Sequence, residues 1–320
     1  MKLVKPTFEI WNQGESIEGL WSHIARCTRV CYQSTPKNDG ETDEEFVKRV
    51  ILHSSTGELN FEKLHGAMLE HGTVYLYILT DDPIHWEDKY GTNPYSKIVS
   101  SYNTIRKAFD CYITTNLRVI YENEWLDDLK YLSSRTKYHK RRVTVCFTTN
   151  IGVTREFNRH RVNSIAEEST RYCDYTKSKF GNEVAFTAPA WFSQATFDML
   201  NEEDPNEALC KLNKELGTEE EHEWEAIDYY SYALYVANYC YNNLRRLGWS
   251  PQKAREVLPL ATKSQVIHTA FVKDWIHFFK LRAIGASGAP HPNAKLVAEP
   301  LFEEFVKRGY INYDSNSRKS

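Results

Sequence analysis

A chain of 320 residues with 41% hydrophobic and 26% charged residues can bury a sizeable core and has the composition of an ordinary soluble globular protein. Its net charge of −3 and lack of a long basic face argue against bulk nucleic-acid binding, and no apolar run approaches the length of a membrane span. Seven scattered cysteines without a Cys-x-x-Cys pair read as thiols of a reducing compartment rather than a disulfide framework or a zinc site, and the opening residues carry no apolar signal core, so a cytoplasmic protein without a metal is expected.

In chain order, residues 19–32 place Leu20, Ile24, Cys27 and Cys31 at helical spacing. The polar stretch 36–44 is a loop, with Asp43 set to cap a helix running to His53. Residues 61–71 are helical in character, Gly72 closes that helix, and 74–80 alternates as a strand of β-branched and aromatic residues. Within 81–142, residues 112–121 alternate like a strand and 125–132 reads as a short helix. Stretches 81–103 and 132–140 read as loops, the first long enough for a lid or a subunit contact. The basic run 135–142 is expected to be a solvated connector.

Residues 143–149 form a clean alternating strand, after which Asn150 and Gly152 turn the chain into a short helix over 153–160. Residues 196–247 are largely helical. Their aromatic stripe, from Trp224 to Tyr241, reads as core or subunit interface. Gly248 stops this helix, Ser250 and Pro251 open the next, and Pro259 ends that one. Residues 262–282 are predicted as one helix, with Lys273 and His277 four apart on one face. The tail 313–320 is polar and expected to fray.

The most informative stretch is 155–172, Arg-Glu-Phe-Asn-Arg-His-Arg-Val-Asn-Ser-Ile-Ala-Glu-Glu-Ser-Thr-Arg-Tyr. Guanidinium groups grip phosphates and carboxylates through paired donors, and hydroxyls and carboxylates can hold ribose or base edges. A solvated helix face laced with Arg–Glu pairs is the ordinary reading of such a composition. Here Arg159-His160-Arg161, followed after seven residues by Ser169, is a spacing rather than a composition. Asn163, Ser164 and Ser169 compete with the backbone for hydrogen bonds, so the motif is expected to leave the helix for loop.

This stretch resembles the signature of the flavin-dependent thymidylate synthases. Arg159, His160, Arg161, Ser164, Ser169, Arg171 and Tyr172 match, while Ala166 stands where an Asn is frequent. Further blocks are similar to the family: Thr28 to Tyr32, His65 to His71 before a strand, Ala254 to Pro259, and Trp275, His277, Phe278, Leu281 and Arg282. Ala67, Lys273 and Asn293 stand where the family often has Ser or Thr, Arg, and Glu.

The resemblance implies an α+β fold, a mostly antiparallel sheet flanked by helices, in a single catalytic domain spanning 1–320 with an insertion at about 81–142. It implies a homotetramer with active sites between subunits. The implied reaction is reductive methylation of dUMP to dTMP, with FAD as cofactor and NADPH and methylenetetrahydrofolate as co-substrates. His65, Arg159, His160, Arg161, Glu167, Lys273 and His277 would surround the flavin. Glu156, Arg159, Glu167, Glu168, Ser169, Thr170 and Arg171 would hold the nucleotide's phosphate and sugar, from a neighbouring subunit. Arg255 and Arg282 would meet the uracil, with Arg282 the catalytic group. The alternatives are the same scaffold methylating or hydroxymethylating another pyrimidine nucleotide, and a non-catalytic nucleotide-binding protein.

Overall fold

A computed structural model describes residues 1–32, 40–52, 66–216 and 224–312. The chain opens with two short strands, β1 (Lys2–Val4) and β2 (Thr7–Trp11), that sequence reading did not anticipate. Helices α1 (Ile17–Tyr32) and α2 (Asp43–Val50) follow. Next come a 3-10 turn over Gly66–His71, strand β3 (Thr73–Thr80), helix α3 (Pro83–Trp86), strands β4 (Lys97–Asn103) and β5 (Ala108–Asn116), and helix α4 (Leu117–Glu122). The central part holds β6 (Arg142–Asn150), α5 (Ile151–Phe157), β7 (Ser164–Glu167) and β8 (Ala185–Thr187). The remainder holds α6 (Gln194–Glu202), α7 (Pro205–Leu216), α8 (Ala226–Arg246), α9 (Pro251–Ala254), β9 (Lys263–Phe271), α10 (Val272–Phe279) and α11 (Pro292–Lys307).

Two antiparallel sheets, ordered β2-β6-β9-β7 and β3-β5-β4, and a small parallel pair β1-β8 make up the strands. The expected mixed α and β fold, with mostly antiparallel sheets flanked by helices, is therefore the one present. The four-stranded sheet is buried on both faces. Along β6 and β9, Val145, Phe147, Val266 and Ala270 face one apolar cluster with α5, α10 and α11. Cys146 and Ile267 face a second, with α1, α2 and β3. A third cluster gathers α6, α7 and α8, where Tyr235 and Tyr241 are buried while Tyr229 and Tyr239 stay exposed.

Several boundaries differ from expectation. The run predicted as one helix over 262–282 is strand β9 as far as Phe271 and helix only from Val272. A central strand buried on both faces carries apolar residues on each, which obscures the two-residue alternation. The presumed 81–103 loop contains α3 and the outer strand β4, and the strand expected over 112–121 runs instead from Ala108 to Asn116 before α4. Thr42, not Asp43, caps α2 through a reciprocal pair with Glu45, leaving Asp43 to bind Arg29 at 2.6 Å. Ser164 opens strand β7 rather than lying in loop. The expectations for 36–39, for His53, for 61–65, for 221–223 and for the 313–320 tail lie outside the described residues.

Trp275 anchors the cluster between α10 and α11: it is fully buried, stacks within 5.9 Å of Phe279, and its Nε1 donates to the Val143 carbonyl at 3.1 Å. Trp275→Ala is expected to lower the unfolding free energy by about 3–5 kcal/mol in a denaturant titration. A loss under about 1 kcal/mol would mean that this core collapses to fill the gap.

Candidate active site

The signature occupies the end of α5, the turn after it, and β7. Asn150 caps α5 by accepting from Val153 N at 2.9 Å, which fixes where the helix starts. Seven residues after Phe157, where the helix ends, the chain has turned back to pair β7 with β9. Glu156 thereby sits on the last turn of α5 and His160 in the turn, 5% exposed. Helix α10 crosses the same face of the sheet, and Phe278 meets Phe157 and His160 at ring distances of 4.9 Å each.

Beyond α10 the helix widens into a π turn over Lys280–Ile284, a feature often found at functional positions, and Arg282 lies within it. Its Nη1 donates to Glu156 Oε2 at 2.6 Å, its Nη2 to the Glu156 carbonyl at 2.9 Å and its Nε to His160 Nε2 at 3.3 Å. An arginine is always a donor, so His160 Nε2 is the accepting nitrogen and the ring is neutral with its proton on Nδ1. Burial, then the Arg282 charge and His277, hold His160 down at about 4. The π turn ends at Gly285, whose φ of +82° suits glycine, and a Cβ there would come within 2.9 Å of the Gly288 carbonyl. A cleft of about 230 Å³ opens beside Glu156 and Arg282 under the 287–291 loop.

The structure brings Glu156, His160, His277 and Arg282 together, with His277 exposed and its ring 5.7 Å from His160. Other expected residues are held elsewhere. Glu167 accepts from Asn158 Nδ2 at 2.8 Å and Ser264 Oγ at 3.0 Å, and buried Glu168 pairs with Lys263 at 2.6 Å. Arg255 donates to Thr170 Oγ1 at 2.9 Å, and among the described residues this pair makes no hydrogen bond to the Arg282 cluster. Ser169 is fixed through its backbone, its N–H donating to the Cys31 carbonyl. Arg159, Arg161, Arg171 and Lys273 are exposed. His65 lies outside the described residues.

Two departures from the family pattern have structural explanations. Ala166 is buried in the cluster against α1, where a larger amide would not fit without repacking. Asn293 is also buried, and its side chain accepts from Ala190 N at 2.7 Å, so it braces a loop. Sequence reasoning missed Asn158, Lys263, Ser264 and His268. His268 is fully buried behind the signature, with Nδ1 3.1 Å from Asn163 Nδ2. Lys263, Ser264 and His268 all lie on β9, and the pairing that aims them at 163–168 is invisible when β9 is read as helix.

A family model described as thymidylate synthase complementing protein matches residues 111–308. The structure of a UMP/dUMP methylase, PolB from Streptomyces cacaoi, bound with 5-Br UMP is similar at 23% identity and a TM-score of 0.36, over 52% of this chain and 69% of that one. The same methylase bound with 5-Br dUMP is similar at 17% identity and a TM-score of 0.41, over 96% and 93%. No curated protein matches the chain.

The depressed His160 gives a pH prediction. The unfolded ring takes a proton near pH 6.5 and the folded ring only near 4, so acidification across that window favours unfolding, and this contribution to stability is intact above it. The denaturant midpoint should fall between pH 6.5 and 4, and less steeply in His160→Gln. Parallel curves for the two proteins would show that His160 is not held neutral.

Proposed function

The chain belongs to the thymidylate synthase complementing protein family, and from that premise we propose that it is a flavin-dependent thymidylate synthase converting dUMP to dTMP. Membership makes it a methyltransferase. Methylenetetrahydrofolate would give the one-carbon unit and NADPH the electrons. We read it as a cytoplasmic enzyme, one catalytic domain elaborated at 81–142, and a homotetramer in which Ser169 and Arg171 of one subunit serve a neighbour's site.

The observation that carries this reading is the Arg282 cluster. Its guanidinium stands at a cleft, held by one carboxylate and one imidazole that stays neutral. A uracil whose N3 has lost its proton could take over part of the Glu156 interaction without leaving Arg282 unpaired. The fixed positive charge favours that ionised ring and so raises electron density at the carbon that accepts the methylene. A protonated His160 would repel Arg282, so the depressed imidazole keeps the guanidinium available for substrate.

The residues present also fit FAD. Arg159 and Arg161 are exposed and form no ion pair among the described residues, so two forked cations are available to a pyrophosphate. Lys273 and His277, exposed one turn apart on α10, would flank the ring. When bound, flavin supplies the reducing equivalents that turn a transferred methylene into a methyl. Attack on the pyrimidine by a cysteine is disfavoured near the signature, because burial pushes the Cys31 and Cys173 thiols up to about 11 and about 12.

Arg282→Ala is expected to keep the flavin absorbance and lose dTMP formation by about 100-fold or more, the scale of removing one preorganised charge partner. Arg159→Ala should purify with little flavin and bind dUMP weakly. Wild-type turnover in Arg282→Ala would overturn the assignment.

A further inference from the structure

A second cation-lined cavity, of about 300 Å³, opens where the end of β2 and the start of β6 meet residues 132–135. It shares no lining residue with the Arg282 cleft or with the 155–172 signature. Arg135, Arg141 and Arg142 all line it, and among the described residues the one carboxylate on its wall is the exposed Glu15. The run expected to be a solvated connector is therefore, at its end, the wall of a pocket.

The hydrogen-bond partners of these arginines are neutral. Arg135 donates to the Thr136 carbonyl at 3.1 Å, and Arg141 lies 4.3 Å over the Tyr310 ring. Arg142 donates to Thr73 Oγ1, the Glu70 carbonyl and Ser164 Oγ at 3.0–3.1 Å. Among the described residues none of the three forms an ion pair. Burial costs a guanidinium its hydration, and a nearby anion is what ordinarily offsets that cost. For Arg142 that cost outweighs the opposing charges of Glu70 and Asp274 nearby and pushes its pKa down to about 10. On the same wall the Ser133 hydroxyl makes no hydrogen bond among the described residues, but it is closed off from solvent and so from an occupant of the cavity. A group with several acceptor oxygens would satisfy the guanidinium donors that line the cavity.

We propose that this cavity is a second anion site, which takes the phosphate group of a small phosphorylated molecule. Forked arginine donors are the chemistry that a phosphate needs, and the volume admits the phosphate with a small organic body. The site is tied to the signature, because Arg142 that lines it also holds Ser164 at the head of β7. Its occupancy would therefore bear on how β7 presents Glu167 and Glu168.

The test is calorimetric titration of inorganic pyrophosphate into the full-length protein at low salt, in an Arg159→Ala background that removes the signature's own grip. A saturable site is expected to persist there and to weaken about tenfold or more on adding Arg135→Gln or Arg141→Gln, the scale of one charge-assisted bond. Inorganic phosphate and a nucleoside monophosphate run in parallel distinguish a free phosphate from a nucleotide as the occupant, and binding of either that shows the same sensitivity supports the site. Absence of a saturable site in Arg159→Ala, or binding unchanged by both added substitutions, would overturn it.

Discussion

The pairing of β6 with β9 is the constraint on which the rest depends. The two nine-residue strands run antiparallel, Arg142 opposite Phe271 and Asn150 opposite Lys263. Helix α5 leaves one end of this ribbon and α10 the other, and both pack on the same face through Phe147, Phe157, Trp275 and Phe278. Entering from opposite ends, they meet where α5 finishes and α10 gives way to the π turn. That meeting places Glu156 and His160 against Arg282, more than a hundred residues away in the chain. The burial that stabilises the sheet and the geometry that builds the cleft are one arrangement.

The electrostatics follow from depth. His160 sits behind the cleft, loses its hydration and stays neutral, so it accepts from Arg282 instead of repelling it. Glu167 and Glu168 face inward and are fixed by Asn158, Ser264 and Lys263, while Arg159, Arg161 and Arg171 remain on the surface. The signature thus separates its charges: carboxylates and the imidazole brace the turn from within, and most of its guanidinium groups are left for anions from outside.

What the sequence made legible depended on whether the information was local. The spacing of Arg159, His160, Arg161 and Ser169 sits in one short segment, and it led to the family and to two of the four residues that gather at the cleft, Glu156 and His160. His277 and Arg282 were reached the same way, through the Trp275 to Arg282 block. Strand β9 was not legible as a strand, because burial on both faces puts Val266, Ile267 and Ala270 at spacings that a helix would also use. With β9 misread, the inward partners Lys263, Ser264 and His268 went unseen. Strand β4 was hidden because its outer position leaves it half polar, and Arg142 looked like surface because its buried surroundings come from Thr73 and Ser164, far away in the chain. Long-range pairing, rather than propensity, accounts for these misses.

The most direct test of the central claim is an anaerobic absorption experiment on the purified protein, followed by mass analysis of the product. A flavin band should be present, bleach with NADPH, and return when dUMP and methylenetetrahydrofolate are added, with dTMP formed. A protein that shows no flavin band even after FAD is supplied, or whose bleached band returns without a product heavier than dUMP by one methylene, would contradict the account.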